Sequence, residues 1–158
     1  MPMNGFKELT QAEKLAHFRG LEQMYLAAPI NRFFNPIISI SEGSAEVGIP
    51  IRIEFHHAAF ATHGSVYFKA MDDAGFFAAS SFETEYFLLT VSFTVYFLRP
   101  IVKGEMRAFG RVVHHSQRQY ISEVILTDAD GAEIGRGSGM FVPSHIPLSL
   151  EMGYSRIP

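Results

Sequence analysis

Between Gly64 and Ser81 the chain carries a helix-forming stretch that is apolar on nearly every side, with Val66, Tyr67, Phe68, Ala70, Met71, Ala74, Phe76 and Phe77 among its residues. A surface helix shows one apolar stripe, so a helix apolar all round has to be wrapped by other elements. It should be central. The flanking sequence supplies the wrapping as short runs at a period of about two, which is the period of a strand.

Before the helix, Thr10-Gln11-Ala12-Glu13 is a capping box that satisfies two orphan backbone N–H groups reciprocally. Leu15, Phe18, Leu21, Met24 and Tyr25 then recur at helical spacing until Pro29, which predicts a helix over about 10–28 packed by one stripe. Residues 37–40 and 45–53 read as a hairpin around Glu42-Gly43, and 54–62 as a loop. After the helix come a long two-faced strand over 88–98, closed by Arg99-Pro100, and strands over 105–115, 119–127 and 132–142. Gly135, Gly137 and Gly139 share one face of the last strand, marking a bend or a close approach by a backbone or ligand. Pro143 and Pro147 are expected to end it, leaving a loosely docked tail.

This order predicts an α+β fold, a curved antiparallel sheet wrapped around a central helix. One domain spans 1–158: the N-terminal helix at about 10–28, a core at about 36–142 and a short C-terminal tail. An uncovered sheet face and edge strand call for burial in a second copy, so at least a dimer is expected.

Charge and composition narrow the partners. A net charge of −3 with scattered Lys and Arg offers no footprint for nucleic acid. No cysteine is present, which excludes a thiolate nucleophile and thiolate metal ligands and fits a reducing compartment. Met1 to Gly5 has no basic start followed by an apolar run, and no segment has the length of a membrane span. A cytoplasmic protein without a membrane partner is expected.

Chemistry concentrates at the head of the central helix, at His63-Gly64-Ser65, with Asp72 nine residues after His63. A helix N-terminus offers N–H groups to a developing negative charge, and an acid further along can activate water. Asp72 and Asp73 are neighbours and point about 100° apart, so only one of them lines a given site. Burial among apolar residues should raise the carboxyl pKa while leaving it mostly ionised at pH 7. His63, just before the helix, reads as a cap or loop brace. His56, His57, His63 and the aspartates match no closed metal motif, so no metal is expected.

These residues resemble the hotdog-fold acyl-CoA thioesterases of the phenylacetate-degradation (PaaI-like) type. The likeness runs from about Pro36 to Val142. Its specific parts are His63-Gly64 opening the helix, the acid nine positions on, and Phe97-Leu98-Arg99-Pro100 closing the next strand. The resemblance implies the hotdog fold, a homodimer often paired into a homotetramer, and a site between two subunits. It selects Asp72 as general base or nucleophile and Gly64 as the oxyanion donor. Thr90, near the start of the strand after the helix, and His57, where the family has an amide, would position substrate or water. Ser65 stands where the family has a second glycine.

The leading expectation is therefore hydrolysis of an acyl-CoA to free acid and CoA, with coenzyme A part of the substrate and no separate cofactor. Asp72, Gly64, Thr90 and His57 are the catalytic candidates, and His63, Ser65 and Arg99 are the substrate-binding ones. Arg99, Lys103, Arg107 and Arg111 are candidates for the CoA phosphates. Phe76, Phe77, Phe82, Tyr86 and Phe87 read either as an acyl-pocket wall or as core or dimer contact. The alternatives are a non-catalytic acyl-CoA-binding hotdog module and a hotdog hydratase or dehydratase, which would pair a catalytic histidine with an acid.

Overall fold

The computed structural model describes residues 8–156, so the Met1–Gly5 start and the last two residues of the tail lie outside it. Helix α1 spans Gln11–Ala27 behind the expected capping box: Thr10 Oγ1 accepts from Glu13 N–H, and the Glu13 carboxylate accepts from Thr10 N–H at 2.8 Å. Its buried face is His17, Phe18, Leu21, Met24 and Tyr25, whereas Leu15, expected in the stripe, is half exposed. Pro29 does not stop helical structure. It opens a short second helix, α2 (Pro29–Phe34), at the first turn, where a missing N–H costs nothing.

Strands β1 (Ile37–Ser41) and β2 (Ser44–Pro50) form the expected hairpin, turning through Gly43 at φ +71°. β2 ends at Pro50 rather than near residue 53, and Ile53–Phe55 is instead one turn of 3₁₀ helix. The loop that follows closes through a bridge between His56 and Thr62. Then come helix α3 (Gly64–Ser80) and strands β3 (Tyr86–Phe97), β4 (Glu105–His115), β5 (Tyr120–Thr127) and β6 (Glu133–Pro147). All pairings are antiparallel, in the order β1-β2-β4-β5-β6-β3, and α3 packs against every strand of this curved sheet.

The wrapping is tight because side chains are absent or small where helix and sheet meet. A Cβ on Gly110 of β4 would stand 2.4 Å from the Ala74 carbonyl oxygen, and Ser122 of β5 donates to the Gly75 carbonyl at 2.8 Å. Helix backbone therefore touches sheet backbone, fixing the axial position of α3. Inward residues of the strands complete the core, among them Val47, Ile49, Met106, Val124, Leu126 and Phe141. Phe76 and Phe77 belong to this core, the second of the two readings given them above. Burying side chains of this size stabilises by about 1.5–3 kcal/mol each.

Two expectations about the last strands change. β6 continues through Pro143 to Pro147, because its pairing to β5 ends at Phe141 and its later residues bond only β3, leaving one free side where proline lacks no partner. The close approach at the glycines comes from a side chain, the Phe93 ring, which lies 2.6 Å and 2.4 Å from where Cβ atoms of Gly137 and Gly139 would be. On β3 itself, Phe93 and Val95 turn partly inward, but Val91 and Phe97, read on the same face, are 53% and 59% exposed. A register shift between Thr90 and Ser92 re-aims Val91.

The tail is docked rather than loose. Tyr154 is buried, and its hydroxyl lies 2.6 Å from Nδ1 of fully buried His17, whose Nε2 meets the Ser80 carbonyl at 2.9 Å. No helix among the described residues is long and apolar enough to cross a membrane.

Candidate active site

The head of α3 is built by its cap. His63 is the N-cap, and its Nδ1 accepts from the Ser65 N–H at 3.0 Å with the Ser65 hydroxyl 2.8 Å away. An acceptor Nδ1 places any ring proton on Nε2. His63 thus braces the helix, and Ser65 braces His63. Gly64, the first helical residue, keeps a backbone N–H with no acceptor among the described residues, as helix geometry requires at that position.

Gly64 opens onto a cavity of about 370 Å³ lined also by His57, Thr62, Tyr67, Phe97 and Arg99. A Cβ at position 64 would sit 3.0 Å and 3.1 Å from ring carbons of Phe97, so the glycine lets the aromatic wall close on the helix start. Tyr67 packs edge-on to Phe97 at 5.6 Å and donates to the Arg99 carbonyl at 2.7 Å, tying the end of β3 to α3. The Thr62 hydroxyl on this rim is buried without a partner among the described residues. His57 Nδ1 accepts from Ala59 N–H at 3.1 Å, which shapes its own loop, and its ring centroid lies 6.5 Å from that of His63.

Asp72 is in the third turn. Thr90 Oγ1 of β3 donates to Asp72 Oδ1 at 3.0 Å. Burial raises the Asp72 carboxyl to about 6, with the Thr90 hydrogen bond and the Lys69 charge pulling the other way and the Asp73 charge adding to the rise. Asp73 points elsewhere, into an ion pair with Lys69 and a 2.7 Å hydrogen bond from the Tyr25 hydroxyl. The two carboxylates part ways as their 100° separation requires.

The candidates therefore fall into two groups on one helix. His57, His63, Gly64, Ser65 and Arg99 gather at its head, and Asp72 with Thr90 lies further along. Arg107 and Arg111 are engaged with acids, at 3.1 Å to Glu105 and 3.9 Å to Glu123, as a solvated face would have them. Among the described residues no three His, Asp or Glu side chains group as metal ligands. Sequence reasoning missed the pocket roles of Thr62 and Tyr67 and the Lys69–Asp73 pair. The pair had a visible signal in its i, i+4 spacing; Thr62 and Tyr67 had none.

Comparison with known proteins agrees with this architecture. The thioesterase superfamily model matches residues 61–134, the stretch that holds α3 and β3 to β5. A protein of Saccharolobus solfataricus that bears an esterase name is 30% identical over 95 residues, 60% of this chain and 68% of that one. The PaaI protein of the Escherichia coli phenylacetic acid degradation operon superposes with a TM-score of 0.78 at 17% identity, over 86% of this chain and 99% of that one. A Pseudomonas aeruginosa thioesterase gives 0.71 at 17%, over 81% and 94%. A curved antiparallel sheet around one buried helix, with the matched segment opening on that helix and running on through the strands that wrap it, makes this chain a hotdog-fold member of the thioesterase superfamily.

Proposed function

We propose that this protein is an acyl-CoA thioesterase. The observation that carries the reading is the Asp72 carboxylate, raised to about 6 by burial and held at 3.0 Å by Thr90, on the helix whose first N–H is unoccupied. A carboxylate of that pKa is largely ionised at pH 7 and more basic than an ordinary aspartate, which suits a general base.

Gly64 and Asp72 are eight residues apart on one helix, hence about 12 Å along its axis. They cannot both touch one thioester within a single chain. The reading therefore includes a homodimer, in which Gly64 of one chain faces Asp72 of the partner subunit; the second edge of β3, unpaired and bearing exposed Leu89, Val91 and Phe97, is where a second copy would seat. Pairing of dimers into a tetramer would cover the outer sheet face.

In the proposed reaction the thioester carbonyl oxygen accepts from Gly64 N–H, with the helix dipole favouring the developing oxyanion. Asp72 takes a proton from water, the hydroxide oxygen bonds to the carbonyl carbon, and collapse of the tetrahedral intermediate breaks the C–S bond. The leaving thiolate recovers a proton and departs as CoA. Thr90 orients Asp72, His57 orients the carbonyl or water, and Arg99 at the pocket rim serves the CoA phosphates. Cysteine-free composition suits a reducing cytoplasm. A hydratase reading is less well supported, because Nδ1 of both His57 and His63 accepts a backbone N–H, which puts the ring proton of the neutral imidazole on Nε2 and leaves no free nitrogen to act as base.

The test is hydrolysis of an aromatic and medium-chain acyl-CoA panel by the wild type and by Asp72→Asn. Loss of at least about a hundredfold in kcat is expected from removal of a general base. Undiminished turnover would overturn the mechanism, and tight binding of acyl-CoA by the wild type without turnover would favour a non-catalytic binding module.

A further inference from the structure

Lys69 stands three residues before Asp72 and four before Asp73, so helix geometry puts its ammonium within reach of either carboxylate. It goes to one of them. The Lys69 ammonium pairs with Asp73 and donates to Asn31 Oδ1 at 2.8 Å, while Asp72 is left with the Thr90 hydroxyl. The choice is enforced from outside the helix. Tyr25 of α1 donates to Asp73 Oδ2 at 2.7 Å, and Asn31 of α2 is itself fixed by an Nδ2–H bond to the Tyr25 carbonyl at 2.6 Å. The rings of Tyr25 and Phe34 lie 5.1 Å and 5.3 Å from the ammonium, attracting the cation to the same side. Side chains of Lys69 and Asp73 are only 13% and 16% exposed, so water does not hold the pair in place.

We propose that Asp73, supported by Tyr25 and Asn31, is a positioning residue that draws Lys69 away from Asp72 and so keeps the Asp72 carboxylate unpaired for chemistry. The inference rests on the reading of Asp72 as the base. An ammonium on Asp72 would make it a weaker base and occupy the oxygen that must receive the water proton. The helices that prevent this, α1 and α2, lie before the 61–134 segment that the superfamily model matches. The charges that bear on Asp72 are Asp73 and Lys69 from its own helix; the group facing it from the packed strands is the Thr90 hydroxyl, and from α1 the Tyr25 phenol reaches it only through Asp73.

The experiment is a double-mutant cycle read by ¹³C carboxyl titration of the full-length protein, with the Asp72 signal assigned from its disappearance in Asp72→Asn. Asp73→Asn should lower the Asp72 midpoint by about one pH unit, in part because the Asp73 charge is gone and in part because Lys69 swings onto Asp72, and the cycle separates the two. Lys69→Met should then raise the midpoint more in the Asp73→Asn background than in the wild type, because only there does Lys69 sit on Asp72. Thioester hydrolysis lost in Asp73→Asn should return in part in the double variant. Equal Lys69→Met shifts in the two backgrounds, or an Asp72 midpoint unmoved by Asp73→Asn, would overturn the proposal. Asp73→Ser run through the same cycle carries the test if asparagine at 73 prevents folding. The titration needs no turnover, so a protein that fails to hydrolyse thioesters yet shows the unequal shifts would sink the thioesterase reading alone.

Discussion

Thr90 Oγ1 donates to Asp72 Oδ1 at 3.0 Å, joining edge strand β3 to the third turn of α3. The bond stabilises the ionised carboxylate and so holds its pKa below where burial alone would put it. Thr90→Val should therefore move the acid limb of the pH–rate profile upward from about 6 by roughly one unit, a hydrogen bond to a charged group being worth about 1.5–3 kcal/mol. Thr90→Ser, which keeps the donor, should leave the limb in place. A limb unmoved in Thr90→Val would remove Thr90 from the mechanism.

The same carboxylate makes the stability of the fold depend on pH. Its folded pKa lies above the ordinary value of 3.8, so the fold prefers the protonated form, and stability present below that value is lost as pH rises through about 6. Asp72→Asn removes an ionisation that the fold resists. At pH 7 the variant should be more stable than the wild type by about 1–2 kcal/mol, after allowing for partial solvent screening, and no more stable at pH 3.5. Urea midpoints at the two pH values measure this, and a variant destabilised at pH 7 would contradict it.

Gly64 allows the backbone donor to be removed without removing the helix. Proline is well tolerated at the first helical position, and His63 at φ −64° and ψ 143° already has the extended backbone that precedes proline. Gly64→Pro deletes the N–H, whereas Gly64→Ala keeps it; both meet the Phe97 ring at the same place. The difference in kcat between the two therefore holds the Cβ crowding constant while the donor hydrogen is replaced by the proline Cδ. Proline should fall below alanine by about 10²–10³ with matching far-UV circular dichroism, and equal kcat values would show that Gly64 supplies space alone.

Much of this arrangement was legible in the chain, for reasons that differ by element. The all-round apolar helix, the capping box at Thr10 and the strand periods are local patterns, and α1, α3, β3, β4 and β5 form close to their predicted bounds. What escaped depends on contacts between distant residues. Nothing before Pro143 announces that β6 will have lost one neighbour by then, which is why two prolines were read as strand enders. Gly110 looked like any strand residue, though its missing side chain lets β4 touch the α3 backbone. At the site, the Asp72 offset and the His63 cap were readable because helix spacing is local. The role of Lys69 is not legible because the residues that hold it lie far off in sequence, Tyr25 in the core stripe of the first helix and Asn31 beyond the Pro29 that is expected to end it.

The C-terminal tail is held by a histidine that has to stay neutral. Burial lowers the His17 pKa to about 4 from its ordinary 6.5, and Nδ1 and Nε2 engage the Tyr154 hydroxyl and the Ser80 carbonyl. Gly20 beside it has no room for a side chain, since a Cβ would stand 2.6 Å from the Ser155 carbonyl oxygen. For a histidine whose folded pKa is depressed, the stability is present above 6.5 and is lost as pH falls toward 4. That loss should amount to about 2–3 kcal/mol, and it opposes the gain from Asp72 protonation over an overlapping window. The two separate by difference. His17→Leu should be less stable than the wild type at pH 7, because the Ser80 carbonyl and the Tyr154 hydroxyl each lose one of two partners, keeping Glu83 N–H and Arg156, and the gap should narrow on going from pH 7 to pH 4.5. Thermal melts of both proteins at the two pH values report the gap. A gap that stays constant would mean that His17 takes up its proton without disturbing the fold, and Gly20→Ala, which crowds the tail without adding a titrating group, should show that constant gap.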